Sequence, residues 1–166
     1  CPPWRGIRTL GVRRGHPWHE IRHLERQAGL VALSANFALY GDMSDRMASL
    51  VAALGHRHEV YSIDESFVDL SGIRGDMTER AHAIRARVLQ WVGIPCGVGI
   101  AHTKTLAKLA NHVAKTTERK PGSYPSKLAQ VCNLAQLPRE DLDAVLDSTD
   151  VGEVWGVGRK IAAQLK

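Results

Sequence analysis

Cysteine is scarce in this chain: Cys1, Cys96 and Cys132 are the only three in 166 residues, and they lie far apart. No CxxC pair and no Cys/His ligand spacing occurs, so neither a disulfide framework nor a structural zinc site is expected. Free thiols in a reducing, cytoplasmic compartment are the expectation. Long apolar runs are also lacking. Nothing approaches the ~18 residues that a membrane-spanning helix needs, so no membrane partner is expected. The N-terminus, Cys1-Pro2-Pro3-Trp4-Arg5, has no charged-then-apolar leader and no initiator methionine. The start of the polypeptide is therefore expected upstream. No repeat and no low-complexity segment is visible.

What is there is an ordinary globular mix, 44% hydrophobic and 23% charged, enough for one core and the beginning of a second. The net charge of +5 and a pI near 9.4 suit a polyanionic partner such as nucleic acid.

Along the chain, breakers and apolar spacing give the outline. Residues 1–15 are irregular. Pro17 opens a short helix with Ile21, Leu24 and Ala28 at helical spacing, ended by Gly29. Residues 30–33 read as a short strand. Asp42 or Ser44 is expected to cap a helix carrying Met43, Met47, Leu50, Val51 and Leu54, stopped by Gly55. Residues 58–70 are rich in β-formers and too long for one strand, so they read as two with a tight turn near Asp64-Glu65. Thr78 opens a helix with Ala81, Ile84, Val88, Leu89 and Val92. Gly93 and Pro95 end it, and residues 94–101 read as a buried strand. Thr103 starts a helix running to about Thr116, residues 118–126 are a loop, and residues 127–137 are left unassigned. A polar-capped helix over 138–147 is followed by a glycine-rich turn and a last helical stretch at 161–166. The order predicts an α+β fold, an antiparallel or mixed sheet with helices on one face, then a small helical unit.

Three places are fit for chemistry. Asp64 and Glu65 stand side by side in an apolar stretch, with Asp69 nearby. Paired carboxylates at a strand turn offer the hard oxygen ligands that divalent ions take in phosphoryl transfer. The plain alternative is a turn that is polar because water reaches it. In the helix from Thr103, Lys104, Lys108 and Lys115 fall on one narrow stripe at 3.6 residues per turn. Leu106, Leu109, Ala110 and Val113 lie opposite, with Asn111 between. The lysine stripe is either a track for phosphates or a solvated face. Finally, Trp155-Gly156-Val157-Gly158 separates two helical patterns and is followed by Arg159 and Lys160. Glycines there leave backbone N–H groups open to a DNA phosphate, as in a helix-hairpin-helix. An ordinary turn between helices is the alternative.

Together these motifs resemble the Y-family DNA polymerases, and the UmuC branch in particular. The resemblance is carried by residues 61–70, by residues 97–115 and by residues 154–159, with Leu10-Gly11-Val12 and Tyr40-Gly41-Asp42-Met43-Ser44 in support. It implies a partial fingers segment at 1–30, a palm at 31–126 that lacks its first strand, and the start of a thumb with a helix-hairpin-helix at 127–166. It implies template-directed nucleotidyl transfer with Mg²⁺, with Asp64 and Glu65 as catalytic and metal-binding carboxylates. It further implies that Arg8, Tyr40 and Lys115 face the incoming triphosphate. Lys104, Lys108, Gly156, Gly158, Arg159 and Lys160 are then the DNA contacts. Implied partners are primer-template DNA and a deoxynucleoside triphosphate, with a processivity clamp and SOS accessory proteins as further candidates. The family's first metal-binding aspartate and the aromatic residue after it are not in the sequence, and Pro3 and Gly6 depart from the family's pattern. The chain is therefore expected not to polymerise on its own. Two other readings stand beside this one. One is a DNA-binding module without chemistry. The other is a nucleotide cyclase with a related palm, which is disfavoured because Ser62-Ile63 replace the Gly-Gly of its signature turn.

Overall fold

The computed structural model describes residues 7, 9–13 and 15–165. The chain divides into two compact units, Cys1–Phe37 and Ala38–Lys166.

In the first unit the described residues include the short helices α1 (Trp18–Ile21) and α2 (Leu24–Ala28). Gly29 ends α2 in the left-handed conformation at φ 65°, and its N–H donates to the Leu24 carbonyl. The strand expected at 30–33 does not form. Residues 29–36 carry no regular structure, and Val31 and Leu33 are 71% and 86% exposed. β-propensity is realised only against a partner, and no strand pairs with this segment among the described residues.

The second unit begins within α3 (Phe37–Ala52) and continues through β1 (Arg57–Ser62), β2 (Glu65–Asp69), α4 (Met77–Val92), β3 (Val98–Ile100), α5 (Lys104–Arg119), β4 (Val131–Asn133), α6 (Arg139–Asp147) and α7 (Arg159–Leu165). The α+β class holds, but the expected sheet is two separate pairs among the described residues. β1 and β2 form an antiparallel hairpin, while β3 and β4 pair in parallel. The strand expected at 94–101 shrinks to three residues. Pro95 offers no N–H, and among the described residues the only ladder partner is the three-residue β4, within residues 127–137.

The helix caps also differ in place. α3 starts five residues before Asp42, so Asp42 and Ser44 lie inside it; Asp42 accepts a hydrogen bond from Arg46 Nε one turn on. α4 is capped by Asp76, whose carboxylate accepts from the N–H groups of Thr78 and Glu79 at 2.7 and 3.2 Å. Thr103 caps α5 as expected, accepting from Leu106 N–H at 3.2 Å.

The core forms where α5 lies across β3 and β4. Ala110, Val113 and Ala114 pack with Leu128, Cys132, Leu134 and Val145, all of them buried. This interface fixes which side of α5 faces outward and so aims its lysines at the β1–β2 hairpin. Among the described residues no helix is long and apolar enough to cross a membrane.

Candidate functional site

The β1–β2 connection is tight without an Asn-Gly or Asp-Gly turn. The Ser62 hydroxyl donates to Asp64 Oδ1 at 2.8 Å and accepts from the Asp64 N–H at 3.4 Å. A side-chain hydrogen bond of this kind supplies the turn that glycine would otherwise permit. The register slips between Val60 and Ser62, and Ser62 pairs with Glu65 across the turn. Asp64 is thereby exposed at the tip, while Glu65 opens β2 half-buried. The expectation of two strands with a turn at these residues is met.

The outward face of α5 meets this hairpin. Lys108 Nζ donates to Glu65 Oε2 at 2.7 Å, and Lys104 Nζ pairs with Glu59. Both ammonium groups also lie over rings: Lys104 5.2 Å from the Phe67 centroid, Lys108 4.7 Å from Tyr61. Lys115, two turns beyond Lys108, has no carboxylate partner among the described residues. Its stem runs past Gly97, where a β-carbon would come within 3.1 Å of Lys115 Cγ. Burial pushes the neighbouring Cys96 thiol up, against the opposing pull of Arg85 and Lys115.

Asp64, Glu65, Lys104, Lys108 and Lys115 line one cleft of about 1540 Å³, and Tyr40 lines it as well. Met43, Met47, Val51 and Ile84 supply apolar wall. The carboxylates and the unpaired ammonium therefore share one space rather than opposite surfaces. Asp69, the third nearby acid, lies at the far end of β2, opposite Arg57. Hydrogen bonds from Ser71 hold its carboxyl below the ordinary carboxylate range. Among the described residues no three His, Cys, Asp or Glu side chains converge as a metal cluster. Asp64 and Glu65 nevertheless fit Mg²⁺, which commonly takes one or two protein carboxylates and fills its remaining positions with water and phosphate oxygens.

Downstream, Gly156 takes φ 89°, and Gly158 precedes α7, its carbonyl accepting from Ala162 N–H at 2.9 Å. Arg159 and Lys160 are exposed. The structure adds what spacing did not reveal: Trp155 lies against the hairpin. Its ring meets Tyr61 edge-on at 5.3 Å and Phe67 at 5.9 Å, and its Nε1–H donates to Tyr61 Oη at 3.2 Å. His112 on α5 contacts Glu153 at 3.2 Å beside it. The sequence signal was a lone tryptophan in a glycine turn, with nothing to say that its partners lay 94 residues away. Arg8, assigned to the triphosphate, lies outside the described residues.

Residues 6–112 match the model of the impB/mucB/samB family. The chain belongs to that family. It is 41% identical over 160 residues to Protein UmuC of Salmonella typhimurium, covering 95% of this chain and 36% of that protein. It is 34% identical over 161 residues to DNA polymerase IV 2 of Mesorhizobium japonicum, covering 95% of this chain and 35% of the relative. This member of the family thus spans little more than a third of those relatives. In fold it matches the insertion ternary complex of Dbh DNA polymerase with a TM-score of 0.73 at 23% identity, over 98% of this chain and 43% of that one. The resemblance to Y-family polymerases of the UmuC branch is borne out.

Proposed function

We propose that the chain is a portion of a translesion DNA polymerase, most of its palm with part of the fingers and the start of the thumb, built for template-directed nucleotidyl transfer. The observation that carries this reading is the single cleft shared by Asp64, Glu65 and the unpaired Lys115. Residues 1–30 then belong to the fingers, 31–126 to the palm and 127–166 to the start of the thumb. Primer-template DNA and a deoxynucleoside triphosphate are the proposed partners.

Asp64 and Glu65 would hold Mg²⁺, which when bound neutralises triphosphate charge and aligns the reacting oxygens. Lys115 would meet the triphosphate in the same cleft with a charge that no carboxylate among the described residues has claimed. Tyr40 lines the same space and offers a ring face and a hydroxyl. The backbone at Gly156 and Gly158, with Arg159 and Lys160, is open to a DNA backbone phosphate. Lys104 and Lys108 reach a DNA phosphate only by exchanging Glu59 and Glu65 for it, because both are paired.

The test is Mg²⁺-dependent binding of a deoxynucleoside triphosphate to the 166-residue polypeptide. Asp64→Ala should abolish the Mg²⁺ dependence. The polypeptide itself should not extend a labelled primer, since no third carboxylate joins Asp64 and Glu65 among the described residues. Should Asp64→Ala leave nucleotide binding intact while changes at Gly156, Arg159 and Lys160 abolish DNA binding, the chain is a DNA-binding module instead.

A further inference from the structure

Lys108 sits on the stripe that the sequence offers to phosphates, yet its ammonium is enclosed. It lies 2.7 Å from Glu65 Oε2, 4.7 Å from the Tyr61 ring centroid and 5.4 Å from the Trp155 ring centroid. Only 22% of its side chain is exposed. Three separated stretches of sequence, the hairpin, α5 and the glycine turn, thus converge on one cation. A carboxylate and two aromatic faces each favour an ammonium at that point.

The cradle is itself held in place. Tyr61 and Trp155 meet edge-on at 5.3 Å and share the Nε1–H to Oη hydrogen bond at 3.2 Å. Phe67 closes the group at 5.8 Å from Tyr61 and 5.9 Å from Trp155. The His112–Glu153 contact at 3.2 Å ties the same turn to α5 a second time. Lys104, one helical turn earlier, pairs instead with Glu59 and lies over Phe67. The enclosure by Tyr61 and Trp155 is therefore particular to Lys108.

A divalent ion that takes Glu65 meets a cation already there. We propose that Lys108 is a built-in counter-cation that occupies Glu65 until a divalent ion displaces it, and that Trp155 is the positioning residue that holds Lys108 in place. The proposal rests on the reading of Asp64 and Glu65 as an ion site. When the ion arrives, the ammonium leaves Oε2 and gives up its close approach to the Trp155 ring, so the contact with Trp155 belongs to the ion-free state. Because Trp155 comes from the glycine turn, a ligand that moves the turn is felt at Glu65, and the effect is reciprocal.

Mn²⁺ is a suitable probe, its free concentration being read by electron paramagnetic resonance during titration of the 166-residue chain. Lys108→Met should tighten Mn²⁺ binding about ten-fold, the worth of one charge-assisted hydrogen bond released from competition. Trp155→Leu should tighten it about three-fold by loosening one cation–π contact, and should add nothing in the Lys108→Met background. Trp155→Phe keeps a ring face and should stay near wild type. Lys104→Met removes the same charge beside Glu59 and should change Mn²⁺ affinity less than about two-fold. If Lys108→Met does not fold by circular dichroism, Lys108→Gln should tighten binding and Lys108→Arg should not. An unchanged or weaker affinity in the uncharged Lys108 variants overturns the counter-cation. Equal tightening by Trp155→Leu with and without Lys108 overturns the positioning role. Asp64→Ala and Glu65→Gln separate the two levels of argument. If they leave Mn²⁺ binding untouched, the ion-site reading fails and the proposal goes with it. If they abolish binding while Lys108→Met has no effect, only the counter-cation falls.

Discussion

The backbone nitrogen of Asn111 occupies the volume that a β-carbon on Gly99 would need, and the Ala107 carbonyl crowds it from the same side. Neither obstacle is a side chain that can swing away. Helix α5 therefore rests directly on β3, and this contact sets the distance from Lys108 and Lys115 to the rest of the cleft. Gly99→Ala should destabilise the fold by about 3 kcal/mol, the upper part of the usual range for overpacking. Gly158→Ala meets open space and should cost less than about 1 kcal/mol, a helix-cap effect. Urea denaturation of the two variants measures the contrast; equal midpoints would remove the argument for close approach.

Arg85 on α4 reaches both the loop before β3 and helix α5. Its Nε donates to the Cys96 carbonyl at 2.7 Å, and Nη2 reaches Glu118 Oε1 on α5 at 3.3 Å, with 15% of the side chain exposed. Arg85→Met keeps the stem but leaves the Cys96 carbonyl without this donor, at a cost of about 2 kcal/mol. Glu118→Gln, at a more exposed site, should cost less than about 1 kcal/mol. A larger loss at Glu118 than at Arg85, read from the same unfolding curves, would show that the ion pair rather than the carbonyl contact matters.

Local signals explain which parts of this architecture could be read in advance. Helix α5 was legible because Leu109, Ala110 and Val113 alternate with lysines at one period and Thr103 supplies the cap. The hairpin was legible because residues 58–70 exceed the length of one strand. Strand β4 was not: Val131, Cys132 and Asn133 are all buried, so no alternation marks them, and only contact with β3 makes them a strand. Residues 30–33 have strand composition but no partner among the described residues, and composition alone misled. Within the site, the adjacency of Asp64 and Glu65 could be read directly. The pairing of Lys104 and Lys108 with Glu59 and Glu65 could not, because it spans 45 and 43 residues and depends on how α5 is rolled against β3.

Cys132 has no exposed surface, and burial pushes its thiol up to about 12 from an ordinary 9.0. The folded value lies above the unfolded one, so the thiol's contribution to stability is complete below about pH 9. It is lost progressively as pH rises from there toward the folded value, because the unfolded chain ionises first. Raising the pH from about 8 to about 10.5 should therefore lower the melting temperature more in the wild type than in Cys132→Ala. In native buffer Cys132 should react with a thiol reagent only as fast as the chain opens. Labelling at the rate of a free thiol would contradict its burial.

Lys115 differs from its two neighbours on the stripe in having no carboxylate among the described residues to give up. A triphosphate entering the cleft gains a charge-assisted contact there without first breaking an ion pair, whereas Lys104 and Lys108 must release Glu59 and Glu65. Lys115→Met should accordingly weaken Mg²⁺-dependent binding of a fluorescent deoxynucleoside triphosphate about ten-fold. Lys127→Met, which loses an ion pair with Asp141 and does not line this cleft, should leave binding unchanged. Fluorescence anisotropy titration gives the comparison. If loss of Lys104 weakens the nucleotide more than loss of Lys115, the phosphates lie nearer the N-terminal end of α5. Asp64 and Lys115 would then not act on the same ligand.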